Sequence, residues 1–310
     1  MARNRDYSAL YFIAPTDTEA STPINLDDGS TYTLLMGRSG HYGLPTKLIS
    51  EKIPMNPGEV LRNLDTPVRE VSIPLMIQGS SYSDVATKIH YLLTTFDAYK
   101  GTGRLRFVGK NSQTNSLVYR DLWVRHMGDP AIVDGDESHF VTTARGIFTF
   151  IAHDPYFYSQ YPTVEAINSD NTGFFPMVRN DPVSFLHLAG GSFAAGVLTT
   201  NTDDVETWPI WQIGGPASAI SFENTTTDKI IEFQEAFTVA AGEELIIDTR
   251  PEYKTVELDG TNVFYQLKST SSLFPITTGS NTINVSMDNT DGDTTLQLIY
   301  WNRYLSLYFD

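Results

Sequence analysis

The sequence predicts a mostly β protein of two domains: an N-terminal α+β domain, a β-sandwich with one helix, followed by a C-terminal antiparallel β-sandwich. The chain has 310 residues, which exceeds the size at which one hydrophobic core usually stops growing. Short β-branched and aromatic stretches bounded by Gly, Pro and Asn recur in both halves. One stretch has convincing helical periodicity. These observations favour two cores built mainly from strands.

The N-terminal domain is predicted to span residues 1–159. Strands are expected at residues 32–36, 67–78, 104–108, 117–127 and 139–151. Within the second of these, one face carries Val71, Ile73, Leu75 and Ile77, which indicates a buried side. Pro74 lacks a backbone N–H, so it predicts an edge strand or a bulge.

One helix is predicted from residue 83 to residue 98. Ser83 is a suitable N-cap, and Asp84 suits the positive first turn. The apolar residues recur at helical spacing and form a single stripe; they are Val85, Ile89, Leu92, Leu93 and Phe96. A helix with one apolar stripe is expected to lie across a sheet.

Residues 160–206 are predicted to form an interdomain segment, because Pro, Gly, Ser, Thr and Asn are frequent there and no period persists. We expect the segment to be ordered, since its large apolar side chains would be costly to leave in water. These side chains are Phe174, Phe175, Phe185, Leu186, Leu188 and Phe193.

The C-terminal domain is predicted to span residues 207–310. Seven short strands are expected at residues 209–213, 219–223, 229–233, 244–248, 255–258, 282–287 and 294–300. Asp259–Gly260 is a typical hairpin turn. Short strands separated by turns over about 100 residues indicate an antiparallel sandwich.

Charge and composition exclude several partners. Residues 1–155 carry 15 Lys and Arg against 17 Asp and Glu, whereas residues 156–310 carry 6 against 20. The acidic second half would repel DNA, so we predict no nucleic-acid binding. The chain has no cysteine, which excludes disulfides and thiolate metal sites. No signal peptide is readable at the N-terminus, where Asp17 and Glu19 interrupt any apolar stretch.

Residues 183–202 contain no charged side chain over the length of a membrane span. However, Gly190 and Gly191 lie at the centre of this stretch, and seven other residues would carry polar groups into hydrocarbon. We therefore predict no membrane span.

The sequence gives little support for a catalytic, metal-binding or phosphate-binding site. The adjacent carboxylates Glu243–Glu244 and Asp203–Asp204 lie in turns or loops, where charges stay hydrated. The acidic run at 288–293 fails the calcium-loop spacing because Leu298 falls where a bidentate Glu is required. The six His residues are scattered, and neither a Gly-x-Ser-x-Gly motif nor a complete phosphate-binding loop is present. We predict no catalytic, cofactor-binding or metal-binding residues, and no enzyme.

Trp208 and Trp211 are candidates for a sugar-stacking platform, which would need exposed rings beside polar side chains. Because the two residues are three apart, they are expected to point to opposite faces of a strand. Packing in a core or an interface is therefore favoured over sugar binding.

Two sets of segments resemble the distal tail proteins of siphophages, also called siphovirus-type tail components. The N-terminal set is similar to the family's ring-forming domain and comprises residues 54–59 (PMNPGE), 67–77 (PVREVSIPLMI), the helix and 120–125 (RDLWVR). The C-terminal set is similar to the family's galectin-like sandwich and comprises residues 208–216 (WPIWQIGGP), 241–251 (AGEELIIDTRP), 258–262 (LDGTN) and 300–305 (YWNRYL).

The resemblance implies a structural virion protein of the tail tip, made and assembled in the cytoplasm of a bacterial host. Its expected partners are its own copies in a homohexameric ring, the tail tube protein, and tail-tip or receptor-binding proteins. The family has no agreed catalytic or metal residues to transfer, and no sugar-binding residues of true galectins are recognisable. Two other functions stay open: a virion carbohydrate-binding module and a glycan-cleaving enzyme.

Overall fold

The computed structural model describes residues 9–15, 23–55, 57–111, 114–133, 142–166, 176–177 and 191–307. The chain divides into two compact units. The first comprises Met1–Tyr158 with Tyr304–Asp310, and the second comprises Ser159–Arg303. These limits differ from the predicted domains 1–159 and 207–310 at both ends of the second domain.

The first unit is built from antiparallel strands. In its described residues these are β1 (Ala9–Ile13), β2 (Ile24–Asn25), β3 (Tyr32–Leu34), β4 (Lys47–Glu51), β5 (Val60–Asp65), β6 (Arg69–Gln78), β7 (Gly103–Lys110), β8 (Leu117–His126), β9 (Ala131–Val133), β10 (Thr143–Ala152) and β11 (Phe157–Ser159). Seven of them follow the order β2-β1-β7-β8-β10-β6-β3, with β9 on β10 and β11 on β8. β4 and β5 form a separate two-stranded sheet.

Strand β6 confirms the predicted alternation. Val71, Ile73, Leu75 and Ile77 are fully buried in the core of the first unit. Pro74 does not lie on an edge strand as predicted, because β6 lies between β10 and β3. Its missing N–H is tolerated because the pairing with β3 stops beside it, at the Leu34–Leu75 pair.

The helix α1 (Tyr82–Thr95) confirms the predicted stripe. Val85 and Leu92 are buried, as is the C-cap residue Phe96, and Ile89 and Leu93 pack beside them. The N-cap is Ser81 rather than Ser83: its backbone is extended, and its hydroxyl accepts a hydrogen bond from the backbone N–H of Asp84 at 3.3 Å.

Phe96 joins the helix to an aromatic core. Its ring lies 4.6 Å from Phe12, 5.5 Å from Phe148 and 5.1 Å from Phe150, each in an edge-to-face arrangement. These rings come from β1, β10 and the helix, so the α+β character that the sequence predicts is confirmed. After the helix, a short 3-10 helix spans Ala98–Lys100.

The second unit is also antiparallel. Its described strands are β12 (Thr163–Ala166), β13 (Pro176–Met177), β14 (Gly191–Asn201), β15 (Ile210–Gly214), β16 (Ala217–Asn224), β17 (Lys229–Glu232), β18 (Thr238–Val239), β19 (Glu244–Asp248), β20 (Thr255–Leu258), β21 (Thr261–Asn262), β22 (Gly279–Thr290) and β23 (Thr295–Tyr300). A 3-10 helix spans Phe264–Gln266, and β24 (Arg303–Tyr304) follows. The seven predicted strands correspond to β15, β16, β17, β19, β20, β22 and β23.

Two sheets enclose the core of the second unit. One has the order β13-β12-β23-β15-β19-β20-β21, and the other has the order β14-β22-β16-β17 with β18 beside β16. Trp211 and Phe222 meet between them, with ring centroids 4.4 Å apart. Asp259 and Gly260 both have positive φ, at 47° and 75°, as a two-residue hairpin turn requires. The predicted β-sandwich is confirmed.

The predicted interdomain segment 160–206 supplies strands to this second unit. β12 pairs with β23, and β14 pairs with β22 from Gly191 to Asn201. The stretch 191–201 is rich in Gly and Ala and lacks alternation, so its strand conformation depends on its long partner strand and not on local propensity. The segment's expected apolar contacts at Phe174, Phe175, Phe185, Leu186 and Leu188 lie outside the described residues, as do residues 139–141 of a predicted strand.

No helix in the described ranges is long and apolar enough to cross a membrane. The uncharged stretch 183–202 contributes residues 191–201 to β14, and its residues 183–190 fall outside the described ranges.

Candidate assembly interface

The β4–β5 hairpin is the most exposed element of the first unit. Every residue of both strands is exposed. Leu48, Leu61 and Leu64 expose 66%, 54% and 58% of their surface. An isolated two-stranded hairpin is marginally stable in water, and clustered exposed apolar residues mark interaction surfaces. The hairpin is therefore a candidate assembly interface.

Cross-strand pairs hold the hairpin in register. Leu48 lies opposite Leu64, and Lys47 lies opposite Asp65. Arg62 donates to Glu51 at 2.8 Å, but both side chains are well exposed, so this ion pair stabilises the hairpin little. These contacts leave the leucine side chains uncovered.

The root of the hairpin is held by Arg69, the first residue of β6. Arg69 is 1% exposed and donates hydrogen bonds to four backbone carbonyls. Its Nη1 reaches the oxygens of Gly40 at 2.8 Å and Gly43 at 3.0 Å, and its Nη2 reaches Leu305 at 2.9 Å. Its Nε donates to the oxygen of Pro155. One guanidinium thus fixes both the segment before the hairpin and the segment after it.

Burial lowers the pKa of Arg69 to about 10, which leaves the group charged at neutral pH. The guanidinium carbon also lies 4.6 Å from the centre of the Phe157 ring. A buried cation that is bound by four carbonyl dipoles and an aromatic face is well compensated. Arg69 therefore has a structural role.

Gly40 can approach the start of β6 because it has no side chain. Its φ is +84°, and a Cβ there would lie 1.9 Å from the carbonyl oxygen of Glu70. No other residue type fits this position without moving the backbone. Gly40 therefore has a packing role beside Arg69.

The tryptophans proposed for sugar stacking differ in environment. Trp211 is fully buried in the core of the second unit, so it cannot present a ring to a sugar. Trp208 is half-buried and precedes β15. The structure therefore does not combine them into one exposed platform.

Three of the four carboxylates considered for catalysis serve local structure. Glu243 accepts from the backbone N–H of Ala240 at 2.8 Å, and Glu244 accepts from the side chain of Gln212. Asp203 accepts from the backbone N–H of Arg303 at 3.2 Å. Within the described ranges, no group of three or more His, Asp or Glu side chains is arranged to hold a metal ion.

One buried carboxylate escaped the sequence analysis. Glu165, in β12, is 2% exposed and accepts hydrogen bonds from Thr199 in β14 and, at 2.8 Å, from Tyr300 in β23. It therefore links strands of both sheets. Burial raises the pKa of Glu165, although both hydrogen bonds lower it in part. A lone Glu in a region without periodicity gives no sequence signal for such a position.

One solved structure shares this fold over most of the chain. The crystal structure of the SPP1 Dit (gp 19.1) protein, described as a paradigm of the hub adsorption apparatus in phages that infect Gram-positive bacteria, superposes with a TM-score of 0.65. The identity is 12%, and the match covers 96% of this chain and 100% of that chain. The phage P2 baseplate in its activated conformation with calcium gives a TM-score of 0.49 at 11% identity, covering 97% and 99%. The fold is thus that of Dit proteins.

The sequence of the second unit matches one family model. Residues 203–304 match the family model of the siphovirus-type tail component, C-terminal domain. This range contains the segments 208–216, 241–251 and 258–262 on which the resemblance depends, so the resemblance to siphophage distal tail proteins is confirmed. No curated protein sequence matches the chain.

Proposed function

We propose that the chain is a structural subunit of a phage tail hub, a distal tail protein that forms a homohexameric ring between the tail tube and the tail tip. The observation that carries this proposal is the shared fold with a hub protein over nearly the entire length of both chains. The family match in the second unit supports it independently. The expected partners are further copies, the tube protein and tail-tip or receptor-binding proteins.

In this proposal the first unit forms the ring, and the second is a galectin-like sandwich. A closed ring requires each subunit to bind the next through complementary surfaces. The β4–β5 hairpin suits this role because its leucines are exposed while its root is fixed by Arg69. It would act as an arm that each subunit lays on its neighbour.

The chemistry of the chain supports scaffolding and not catalysis. The carboxylates that the sequence offers as pairs accept hydrogen bonds from turns and strands. The strongly acidic second half disfavours binding to nucleic acid. We therefore propose that the protein acts by assembly in the virion after synthesis in the host cytoplasm.

The position in the particle is tested by gold-labelled antibodies raised against the purified chain. Labelled particles of the phage that carries this protein are viewed by electron microscopy. Gold at the junction between tail tube and tail tip is expected. Gold on the capsid, along the tube or on the distal fibres alone would overturn the proposal.

The role of the hairpin is tested with the double variant Leu48→Thr and Leu64→Thr. Threonine keeps strand propensity while it removes exposed apolar surface. The variant is expected to lose ring assembly in size-exclusion chromatography with light scattering. Leu117→Thr is a matched control, because Leu117 is also an exposed strand leucine, in β8. Rings of unchanged stability in the double variant would exclude the hairpin as the arm.

A further inference from the structure

The strand β12 (Thr163–Ala166) has a carboxyl at its one buried position. Glu165 is 2% exposed, whereas the three other residues of the strand are partly exposed. The adjacent strand β23 instead buries apolar side chains in the core of the second unit. A buried position usually holds an apolar residue, because taking a charge out of water is costly. The interior contact of β12 therefore depends on a group that can gain or lose a proton.

Two neutral hydroxyls hold the Glu165 carboxyl. Tyr300, in the adjacent strand β23, donates to it at 2.8 Å, and Thr199, in β14, donates to its other oxygen. Both donors are buried. β14 belongs to the opposite sheet, so the bond from Thr199 crosses the interior of the sandwich. The carboxyl thus joins β12 to β14.

No cation compensates this carboxyl among the residues that the structure describes. β13 and β14 contain no titratable residue, and β23 contains only Tyr300. Arg303, which follows β23, directs its guanidinium to the carbonyl oxygen of Glu206 at 3.0 Å. Asp203 is the other charged group that acts on Tyr300, and it is an acid. An ionised Glu165 would therefore have hydroxyl donors but no ion pair.

Glu165 is the group that titrates in this contact. Burial raises its pKa, and the hydrogen bonds from Thr199 and Tyr300 lower it only in part. Burial also raises the pKa of Tyr300, as does the nearby carboxylate, so the phenol keeps its proton at neutral pH. A buried carboxylate without a cation favours conformations in which water reaches it. Ionisation of Glu165 should therefore weaken the contact between β12 and β14.

We propose that Glu165 is a proton-controlled latch in the second unit. The protonated carboxyl joins β12 to β14, and the ionised carboxylate lets water enter between the two strands. The opening is local, because β12 keeps its backbone pairing with β23 and the apolar core around Trp211 and Phe222 packs without Glu165. This inference does not depend on the proposed ring.

Hydrogen–deuterium exchange of the full-length protein between pH 4 and pH 8 tests the latch. Protection is measured relative to the intrinsic exchange rate at each pH, for the amides of residues 163–166 in β12 and 199–201 in β14. Between the ordinary and the raised pKa of Glu165, protection should fall about tenfold per pH unit, and it should level off at higher pH. The amides of β19, in the same unit, should keep constant protection.

Two variants separate a latch from a merely structural contact. Glu165→Gln should give protection that is independent of pH, since glutamine has the shape of the protonated acid but does not titrate. Thr199→Val removes a hydrogen bond that lowers the pKa of Glu165, so the fall in protection should move to higher pH. A merely structural contact would lose protection at every pH without this shift. Glu206→Gln, at an exposed position, is the control and should follow the wild type.

Three results would overturn the latch. One is wild-type protection in β12 and β14 that does not change with pH. Another is a Glu165→Gln protein that keeps the wild-type fall in protection. The third is an equal fall in β19, which would show unfolding of the whole unit and not a local opening. Each of these results leaves the proposed function standing, because assembly into a ring is measured separately.

Discussion

Nη2 of Arg69 donates a hydrogen bond of 2.9 Å to the carbonyl oxygen of Leu305, although the two residues are 236 positions apart. The same side chain binds Gly40 and Gly43, just before the hairpin. The last residues of the chain are thus part of the first unit. One buried cation links the root of the proposed arm to a segment that the sequence analysis assigned to the second domain.

Replacing Arg69 should destabilise the first unit strongly. In Arg69→Met, four carbonyls lose a charged donor in a buried site, and we expect a loss of about 3 kcal/mol in the free energy of unfolding. The free energy of unfolding of Arg69→Lys should lie between those of the wild type and Arg69→Met. A lysine ammonium lacks the planar fork of donors that reaches all four oxygens. Urea denaturation followed by circular dichroism measures both. The control Arg62→Met, at the exposed hairpin, should change stability by less than about 0.5 kcal/mol; equal losses for both would refute the anchoring role.

Gly40 and Gly37 form a matched pair. Both have positive φ, but a Cβ at Gly37 meets nothing within 4 Å, whereas one at Gly40 collides with Glu70. Gly37→Ala should lower the free energy of unfolding by about 1 kcal/mol, because alanine disfavours the positive φ at this position. Gly40→Ala should cost clearly more, because the backbone of β6 must shift. Thermal unfolding of the two variants gives the comparison, and indistinguishable midpoints would show that the close approach is unimportant.

Glu165 should make the second unit more stable in mild acid. Its folded pKa is raised above the ordinary value of 4.5 by burial. Below the unfolded pKa both states are protonated, and its contribution is fully present. As the pH rises further, the unfolded state ionises first, so this contribution falls until the pH passes the folded pKa.

Thermal unfolding between pH 4 and pH 8 tests this linkage. Glu165→Gln should flatten the decline of the melting temperature with rising pH, since glutamine does not titrate. Glu206→Gln, at an exposed loop residue, should follow the wild-type curve. If Glu165→Gln and the wild type run parallel across this range, Glu165 does not carry the effect.

Trp211 should be essential for folding of the second unit. Its ring is fully buried against Phe222, so Trp211→Ala should cost about 3–5 kcal/mol. Trp208→Ala, at a half-buried position, should cost about 1 kcal/mol. Denaturant unfolding measures both. A well-folded Trp208→Ala protein that loses specific glycan binding would instead support the carbohydrate-binding alternative.

The elements that could be predicted from the sequence are those in which the pattern of apolar and polar residues matches the face that is buried in the fold. The alternation of β6, the stripe of α1 and the hairpin turn at Asp259–Gly260 all follow from side-chain periodicity or turn chemistry. The same holds for β19 and β20, whose predicted bounds agree with the structure. In these segments, burial on one face is visible in the order of the residues.

The elements that were missed depend on distant partners. β14 is held by β22, about 90 residues further along the chain, and its Gly and Ala residues give no alternation. The hairpin strands β4 and β5 are exposed on both sides, so no buried face imposes a pattern on them. Arg69 looks like an ordinary surface charge in sequence, because its four partners are backbone carbonyls.

In the proposed function, this chain closes into a ring of identical subunits. Native mass spectrometry of the purified full-length protein, over a range of concentrations and salt, tests it most directly. We expect an assembly of six times the chain mass of 34.6 kDa, with no open-ended series beyond it. A protein that remains a monomer under every condition would contradict it.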